Sequence, residues 1–159
     1  MHLEQKSLHI KTLNFLTASG QRIEIKKLLV EMSYYEDIYS FCVSGYVTLH
    51  DAQGFIERLN FTGNEFLELN FGKIKNGTNT TDKLYRIYKV GDRKPSGNMN
   101  SETYTLYFCS EELLLSEQNR ISKSFSGQKI SGIVENILSD KLSVSSQKIE
   151  TIEDTMGLY

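Results

Sequence analysis

Excess charge of one sign, proline, cysteine and long apolar runs are all scarce in this sequence, and each scarcity excludes something. Lys and Arg number 18 against 20 Asp and Glu, giving a formal net charge of −2 at neutral pH. The basic residues are scattered along the chain, whereas a nucleic-acid binder is expected to gather a basic excess on one face. No apolar run approaches the roughly 20 residues that a membrane-spanning helix needs. The first seven residues, Met1 to Ser7, are polar and charged, unlike a secretory signal. A soluble protein made inside the cell is therefore expected, and the sequons at Asn60, Asn76 and Asn79 read as chance matches.

The two cysteines, Cys42 and Cys109, have no CxxC neighbour and no nearby histidine, which argues against a zinc site. Free cysteine is among the most buried residue types, so buried thiols in a reducing compartment are expected, with a disulfide between neighbouring strands as the alternative. The one proline, Pro95, falls in the polar segment Arg93 to Asn100, in keeping with its exclusion from strand interiors.

What is present is enough for a core. Hydrophobic residues make up 39% and charged residues 24% of 159 positions, which suits one ordinary domain, or one domain and the beginning of another. Leu8 to Leu16 has strand character and is followed by a turn at Thr17 to Gly20. From Arg22 to Met32, Ile23 and Ile25 alternate with charges and then merge into Leu28-Leu29-Val30, the pattern of a strand passing from a half-exposed to a buried setting. The acidic turn Glu36-Asp37-Ile38 precedes a strand from Phe41 to Leu49. There Val43, Gly45, Val47 and Leu49 share one face, and Gly45 implies a bulge or a close backbone approach.

His50 to Gly54 is a turn by composition, and Gly54 to Leu59 fits one helical turn joining Phe55, Ile56 and Leu59. Phe66 to Phe71 is a strand with Leu67, Leu69 and Phe71 on one face. Lys73 to Asp82 is a polar loop, and Lys83 to Asp92 and Glu102 to Ser110 are two further strands. About six strands at spacings of roughly 10–20 residues make residues 1–115 a β-domain, a barrel or a sandwich.

Residues 116–159 have a different character. Glu111 to Leu115 fits a short helical turn and Arg120 to Phe125 an extended piece. Ile130, Ile133, Val134, Ile137, Leu138 and Leu142 then mark an amphipathic helix near residues 128–142. Val144 to Ile152 returns to an extended pattern. One helix and one strand cannot enclose a core, so this part reads as the start of a second, truncated α+β region.

Catalytic chemistry finds little support. The acid pairs Glu36-Asp37, Glu111-Glu112 and Glu153-Asp154 lie side by side on turns, where carboxylates are solvated rather than driven to different pKa values. His2, His9 and His50 have no carboxylate or cysteine at ligand spacing, and Gly72 to Gly77 lacks the Gly-Lys-Ser/Thr ending of a phosphate loop. Aromatics are abundant: Tyr34, Tyr35, Tyr39, Tyr46, Tyr85, Tyr88, Tyr104 and Tyr107 stand beside eight phenylalanines. Interleaved with Lys83, Arg86 and Lys89 they could form a stacking platform for single-stranded nucleic acid. The plainer reading is cross-strand packing of good strand formers.

The order of these features resembles a known family. Tyr35-Glu36-Asp37-Ile38, then Ser44-Gly45-Tyr46-Val47-Thr48-Leu49 with Asp51, then Thr62-Gly63-Asn64-Glu65 leading into Leu67-Glu68-Leu69, is similar to the first domain of phage baseplate central hub proteins of the T-even type. Leu84 to Val90, Tyr104 to Ser110, Arg120 to Gly127 and Ile130 to Leu138 extend the match, which also covers the hub-like part of type VI secretion spike proteins.

The resemblance implies a mainly β fold, a tail-tube-like barrel or sandwich followed by the start of a small α/β region. It implies a structural virion protein of the tail baseplate, assembled in the host cytoplasm. Such a protein is a homotrimer in its full-length form and joins the tail tube, or a tube-initiator protein, to the central spike protein. DNA would pass only in transit through the ring's lumen, with no membrane insertion by this chain. The hub is not the lytic component, so neither a catalytic residue nor a cofactor or metal is implied, and the protein is not expected to be an enzyme. Strand pairing between subunits requires exposed edges, and aromatics are enriched at interface cores. Tyr34, Tyr35, Glu36, Asp37, Ile38 and Tyr39 are therefore the candidate subunit interface, with a core corner of the barrel as the competing reading. A small β-barrel module binding single-stranded nucleic acid or a peptide is the alternative function.

Overall fold

The computed structural model describes residues 8–59, 61–73, 80–97, 101–142, 144 and 153–157. The chain forms two compact units, Met1–Ser110 and Glu111–Tyr159.

The first unit is one antiparallel sheet. Its strands are β1 (Leu8–Leu16), β2 (Arg22–Glu24), β3 (Leu29–Tyr35), β4 (Ser44–Asp51), β5 (Phe66–Lys73), β6 (Thr80–Pro95) and β7 (Glu102–Cys109). They are ordered β2-β1-β5-β6-β7-β4-β3. The mainly β class expected from the sequence is what forms. Within it, the strands make a single open sheet and not a hydrogen-bonded barrel or a two-sheet sandwich.

The physical reason lies at Ile25. The strand expected from Arg22 to Met32 is interrupted there by a 3-10 turn, Lys26–Leu28. Ile25 is fully buried, its N–H donates to the Leu13 carbonyl at 3.0 Å, and its carbonyl accepts from the Leu28 N–H at 3.0 Å. The chain thus leaves the β1 edge after three paired residues and crosses to the β4 edge. The two outermost strands of the sheet are consecutive in sequence, linked through this one turn, and the sheet curls accordingly. Tyr34 on edge strand β3 meets Phe71 on β5, ring centroids 5.0 Å apart.

Alternation places the core. Leu13 and Phe15 on β1, Val47 and Leu49 on β4, Leu67 and Leu69 on β5, Tyr85 and Ile87 on β6, and Tyr104, Leu106 and Phe108 on β7 form one buried cluster with Ile25 and Ile56. Ile56 comes from the single helical turn α1 (Phe55–Arg58), as the sequence pattern anticipates. Asp51, also buried, fastens that turn, its carboxylate accepting the N–H groups of Gln53 at 2.8 Å, Phe55 at 2.5 Å and Ile56 at 3.2 Å. Gly45 marks a close approach, since a Cβ there would lie 2.3 Å from the Ser33 carbonyl oxygen and 2.4 Å from Cζ of Phe108. Neither cysteine forms a disulfide; Cys109 is buried and Cys42 partly so.

Strand β6 is longer than expected, since Thr80 to Asp82 and Arg93 to Pro95 join it. The rest of the Lys73–Asp82 loop, residues 74–79, lies outside the described residues, as do residues 98–100 and the sequons' Asn60, Asn76 and Asn79.

In the second unit, α2 (Glu111–Gln118) is a full helix where only a turn was expected, and Arg120 to Phe125 has no regular structure. The amphipathic segment is α3 (Ile130–Asn136) continued by a π-helical turn (Ile137–Lys141). Its apolar stripe is only partly covered: Ile133, Ile137, Leu138 and Leu142 are half-buried, Ile130 and Val134 are 52% and 39% exposed, and Ser131 is buried. Ser131 is held through its N–H to Oγ1 of Thr155 at 3.2 Å and through its hydroxyl from the Thr155 N–H at 3.4 Å. Most of Val144 to Ile152 lies outside the described residues. Among the described residues no helix is long and apolar enough to cross a membrane.

Candidate functional site

The six residues picked out as an interface occupy the end of β3 and the loop that leads to β4, and they divide between inside and outside. Tyr34 points inward, its ring against Phe71 and, at 5.9 Å, against Tyr85. Its hydroxyl donates to Oε2 of Glu36 at 3.3 Å and lies 3.0 Å from the Tyr85 hydroxyl, which is then the donor to Tyr34. Burial raises the pKa of both phenols, and that of Tyr85 is raised further by its bond to Tyr34.

Asp37 builds the turn. Its Oδ1 accepts the Tyr39 N–H at 2.9 Å and its carbonyl accepts the Ser40 N–H at 3.0 Å, an Asx-turn. That turn lifts the next side chains off the sheet. Ile38 is 92% and Tyr39 95% exposed, and Phe41 follows at 77%. Tyr34 therefore fits the core-corner reading, while Ile38 and Tyr39 are free to meet a partner.

Tyr35 begins a feature that sequence reasoning did not assemble. On the outer face of the sheet, Tyr35 on β3, Tyr46 on β4, Tyr107 on β7 and Tyr88 on β6 form a row across four strands. Successive ring centroids are 6.5, 6.1 and 6.3 Å apart and all are tilted. The row is pinned at its margins. Tyr46 donates to Oε1 of Glu31 at 2.8 Å, Tyr107 donates to Asp92, and Nζ of Lys89 stands 4.6 Å from the Tyr107 ring centroid. The bond to Asp92 and that carboxylate's charge raise the Tyr107 phenol. Ser44 and Thr48 share the polar side of the β4 alternation with Tyr46, so this part of the row was visible in sequence. Phe41 was missed as an exposed group because its run of strand formers placed it inside β4.

The chemistry available here is associative. Among the described residues no group of three or more His, Cys, Asp or Glu could hold a metal ion. His50 is engaged with the Thr103 hydroxyl at 3.3 Å, Glu111 and Glu112 open α2, and Asp154 pairs with Lys129. What the surface offers is clustered apolar area with hydroxyl groups at its edge, beside edge strand β3, which among the described residues pairs only with β4. Clustered exposed apolar groups mark interaction sites, and a free strand margin is a template for pairing.

No protein-family model and no curated protein sequence matches the chain. Solved structures do. The chain is similar to a chain of the Francisella PdpA-VgrG complex in its lidded form, with a TM-score of 0.50 and 15% identity over 85% of this chain and 20% of that one. The half-lidded Francisella form gives 0.49 and 14% over 89% and 22%. A lidless PdpA-VgrG complex gives 0.49 and 14% over 82% and 24%. The chain thus shares a fold with part of the lidded complex and spans about a fifth of the length of the chain it matches there.

Proposed function

We propose that the protein is a structural subunit of a hub-and-spike assembly: part of a baseplate central hub that joins a tail tube to a central spike and contributes to a ring. The observation that carries this reading is the loop after β3, where Ile38 and Tyr39 on an Asx-turn, and Phe41 just after it, stand largely in solvent at the sheet margin. Three large apolar groups left in solvent at and beside this turn form a natural anchor for a partner. The fold shared with part of a chain in the PdpA-VgrG complex supports a spike- or hub-related structural role. The order of motifs from Tyr35 to Leu138 supports the finer reading, a homotrimeric virion component of a tailed phage that acts without catalysis. A hub needs heterologous contacts that close into a ring, and a chain whose two edge strands are consecutive presents two different edges to its neighbours.

Light scattering of the protein alone and mixed with candidate tube and spike proteins tests the proposal. A trimer, or a ring-sized complex with either partner, is the expected result. A monomer indifferent to both would overturn the hub reading for this chain. It would favour the second reading, a binding module whose tyrosine row grips a peptide or single-stranded nucleic acid. The row and Lys89 support that reading, while the carboxylates of Glu31 and Asp92 beside the same rings oppose a polyanion. Steep salt dependence would identify a nucleic-acid ligand.

A further inference from the structure

We propose that the outer tyrosine row is a receptor for arginine side chains carried by an extended segment of a partner protein. The proposal narrows the second reading above, in which the row grips a peptide or single-stranded nucleic acid, and it rests on that reading. Ile38, Tyr39 and Phe41, which carry the hub reading, take no part in it.

The rings are open to solvent at both ends of the row. Tyr35 is 57% and Tyr88 51% exposed, and Tyr46 and Tyr107 between them are half-buried. Neighbouring rings are tilted by 47°, 51° and 50°, so none is stacked flat upon the next. One cation already uses this surface. Nζ of Lys89 stands 4.6 Å from the Tyr107 ring centroid, inside the roughly 6 Å within which a cation is drawn to the negative face of an aromatic ring. The register shift between Ile87 and Lys89 turns this lysine to the outer face, opposite Tyr107 on β7.

Carboxylates border the same rings. Tyr46 donates to Oε1 of Glu31 at 2.8 Å, and Tyr107 donates to Oδ2 of Asp92. A phenol that donates to a carboxylate holds more electron density in its ring, which deepens the attraction for a cation. Both carboxylates are exposed, and among the described residues each accepts through that one oxygen, leaving the other for an incoming N–H. Glu31 and Asp92 together outweigh Lys89, so the row favours positive charge and disfavours phosphates. Among cations the guanidinium fits best. It is planar and weakly hydrated, lies flat on aromatic rings and can bond a carboxylate beside them, whereas an ammonium is compact and strongly hydrated. Alternate side chains of an extended segment project the same way at intervals of roughly 6.6 Å, close to the ring-to-ring steps of 6.1–6.5 Å. An extended chain with arginine at alternate positions therefore matches both the chemistry and the pitch.

The test is a titration of the whole chain, followed by NMR of the ring signals of Tyr35, Tyr46, Tyr88 and Tyr107. The probe is the acetylated and amidated peptide Ser-Arg-Ser-Arg-Ser, with its lysine and citrulline counterparts and a thymidine oligonucleotide as controls. Saturable shifts of the row's rings are expected with the arginine peptide. Binding should be about threefold weaker for the lysine peptide, and citrulline, which keeps the shape and lacks the charge, should give no saturation. Lys89→Met uncovers the Tyr107 ring and should bind the arginine peptide about threefold more tightly. Lys83→Met, the same change of charge elsewhere on β6, should leave binding unchanged because the solvent screens it. Tyr88→Leu should weaken binding about threefold. Equal binding of the arginine peptide and either counterpart would overturn the proposal; with citrulline, a row that grips peptides without regard to charge would remain. Saturation by the oligonucleotide alone would overturn it in favour of a nucleic-acid ligand. Lys89→Met protein that binds no more tightly than the parent would also overturn it, and silence toward every probe would take the second reading down with it.

Discussion

The two faces of the sheet use the same residue type to opposite ends. Tyr34, Tyr85 and Tyr104 lie on the inner face, their phenols raised by burial. Tyr35, Tyr46, Tyr107 and Tyr88 line the outer face, with hydroxyls tied to surface carboxylates or left in water. In the inner set Tyr34 packs edge-on against Phe71 and Tyr85, a geometry that aromatic pairs prefer, and Tyr85 lies tilted against Phe108. The outer set is a row of tilted rings, with Nζ of Lys89 over the ring of Tyr107. Tyrosine alone therefore says little about role here, and strand register decides whether a ring stabilises the fold or is offered to a partner.

The inner face should be the more easily broken, most severely where backbone and ring already touch. Gly45→Ala places a Cβ against the Ser33 carbonyl and the Phe108 ring, and neither can yield without moving the β3–β4 ladder or the core. A loss of about 3 kcal/mol is expected, at the upper end for overpacking, read as a lower denaturant midpoint with an unchanged slope. An unchanged midpoint would mean that β3 is free to move away from β4, and that this edge is looser than its register implies.

Glu65 sharpens the contrast through pH. Burial alone would raise its pKa, but hydrogen bonds from the Thr62 backbone and hydroxyl, its own N–H and the Gly63 N–H outweigh that and hold the carboxyl below its ordinary value. A carboxyl depressed in the folded state stabilises the fold above its unfolded pKa of about 4.3 and loses that contribution as pH falls through the lower folded value. Glu65→Gln should thus cost on the order of 2 kcal/mol at neutral pH. The gap to the parent protein should narrow steadily below about pH 4. Thermal melts of both proteins across that range measure the gap, and a constant difference would place the role of Glu65 in shape and not in charge.

How much of this was legible in the sequence follows the same division. Where alternation is regular, as in Val43-Gly45-Val47-Leu49 or Leu67-Leu69-Phe71, the inward face could be assigned from period alone. The break at Ile25 could not. Ile23 and Ile25 continue the strand pattern, and the turn arises because two distant edges, β1 and β4, each claim part of the segment. Parity also fails on β6, where the register shifts between Ile87 and Lys89. Tyr85 and Ile87 face inward and Tyr88 outward, as alternation requires, but Lys89 also lies on the outer side, and which rings meet across strands has no signature in spacing. In the candidate interface, Tyr34 and Tyr39 are equivalent by composition. They separate only because Phe71 and Tyr85, far away in sequence, cover one of them.

That separation yields the prediction with the smallest effect on stability and the sharpest bearing on function. Tyr39 touches none of the core, and its backbone N–H, not its ring, makes the bond to Asp37. Tyr39→Ala should therefore melt within about 0.5 kcal/mol of the parent protein, as surface substitutions do. If the loop is a subunit contact, the same variant should lose its association with copies or tail partners in light scattering, because truncating an interface anchor commonly costs about 2 kcal/mol or more of binding. Tyr34→Ala reverses the pattern: it removes a half-buried ring and its hydroxyl bond to Tyr85, so the fold itself should weaken. A Tyr39→Ala protein that folds and assembles normally would move the contact away from this loop. The tyrosine row on the outer face would then be the surface to mutate next.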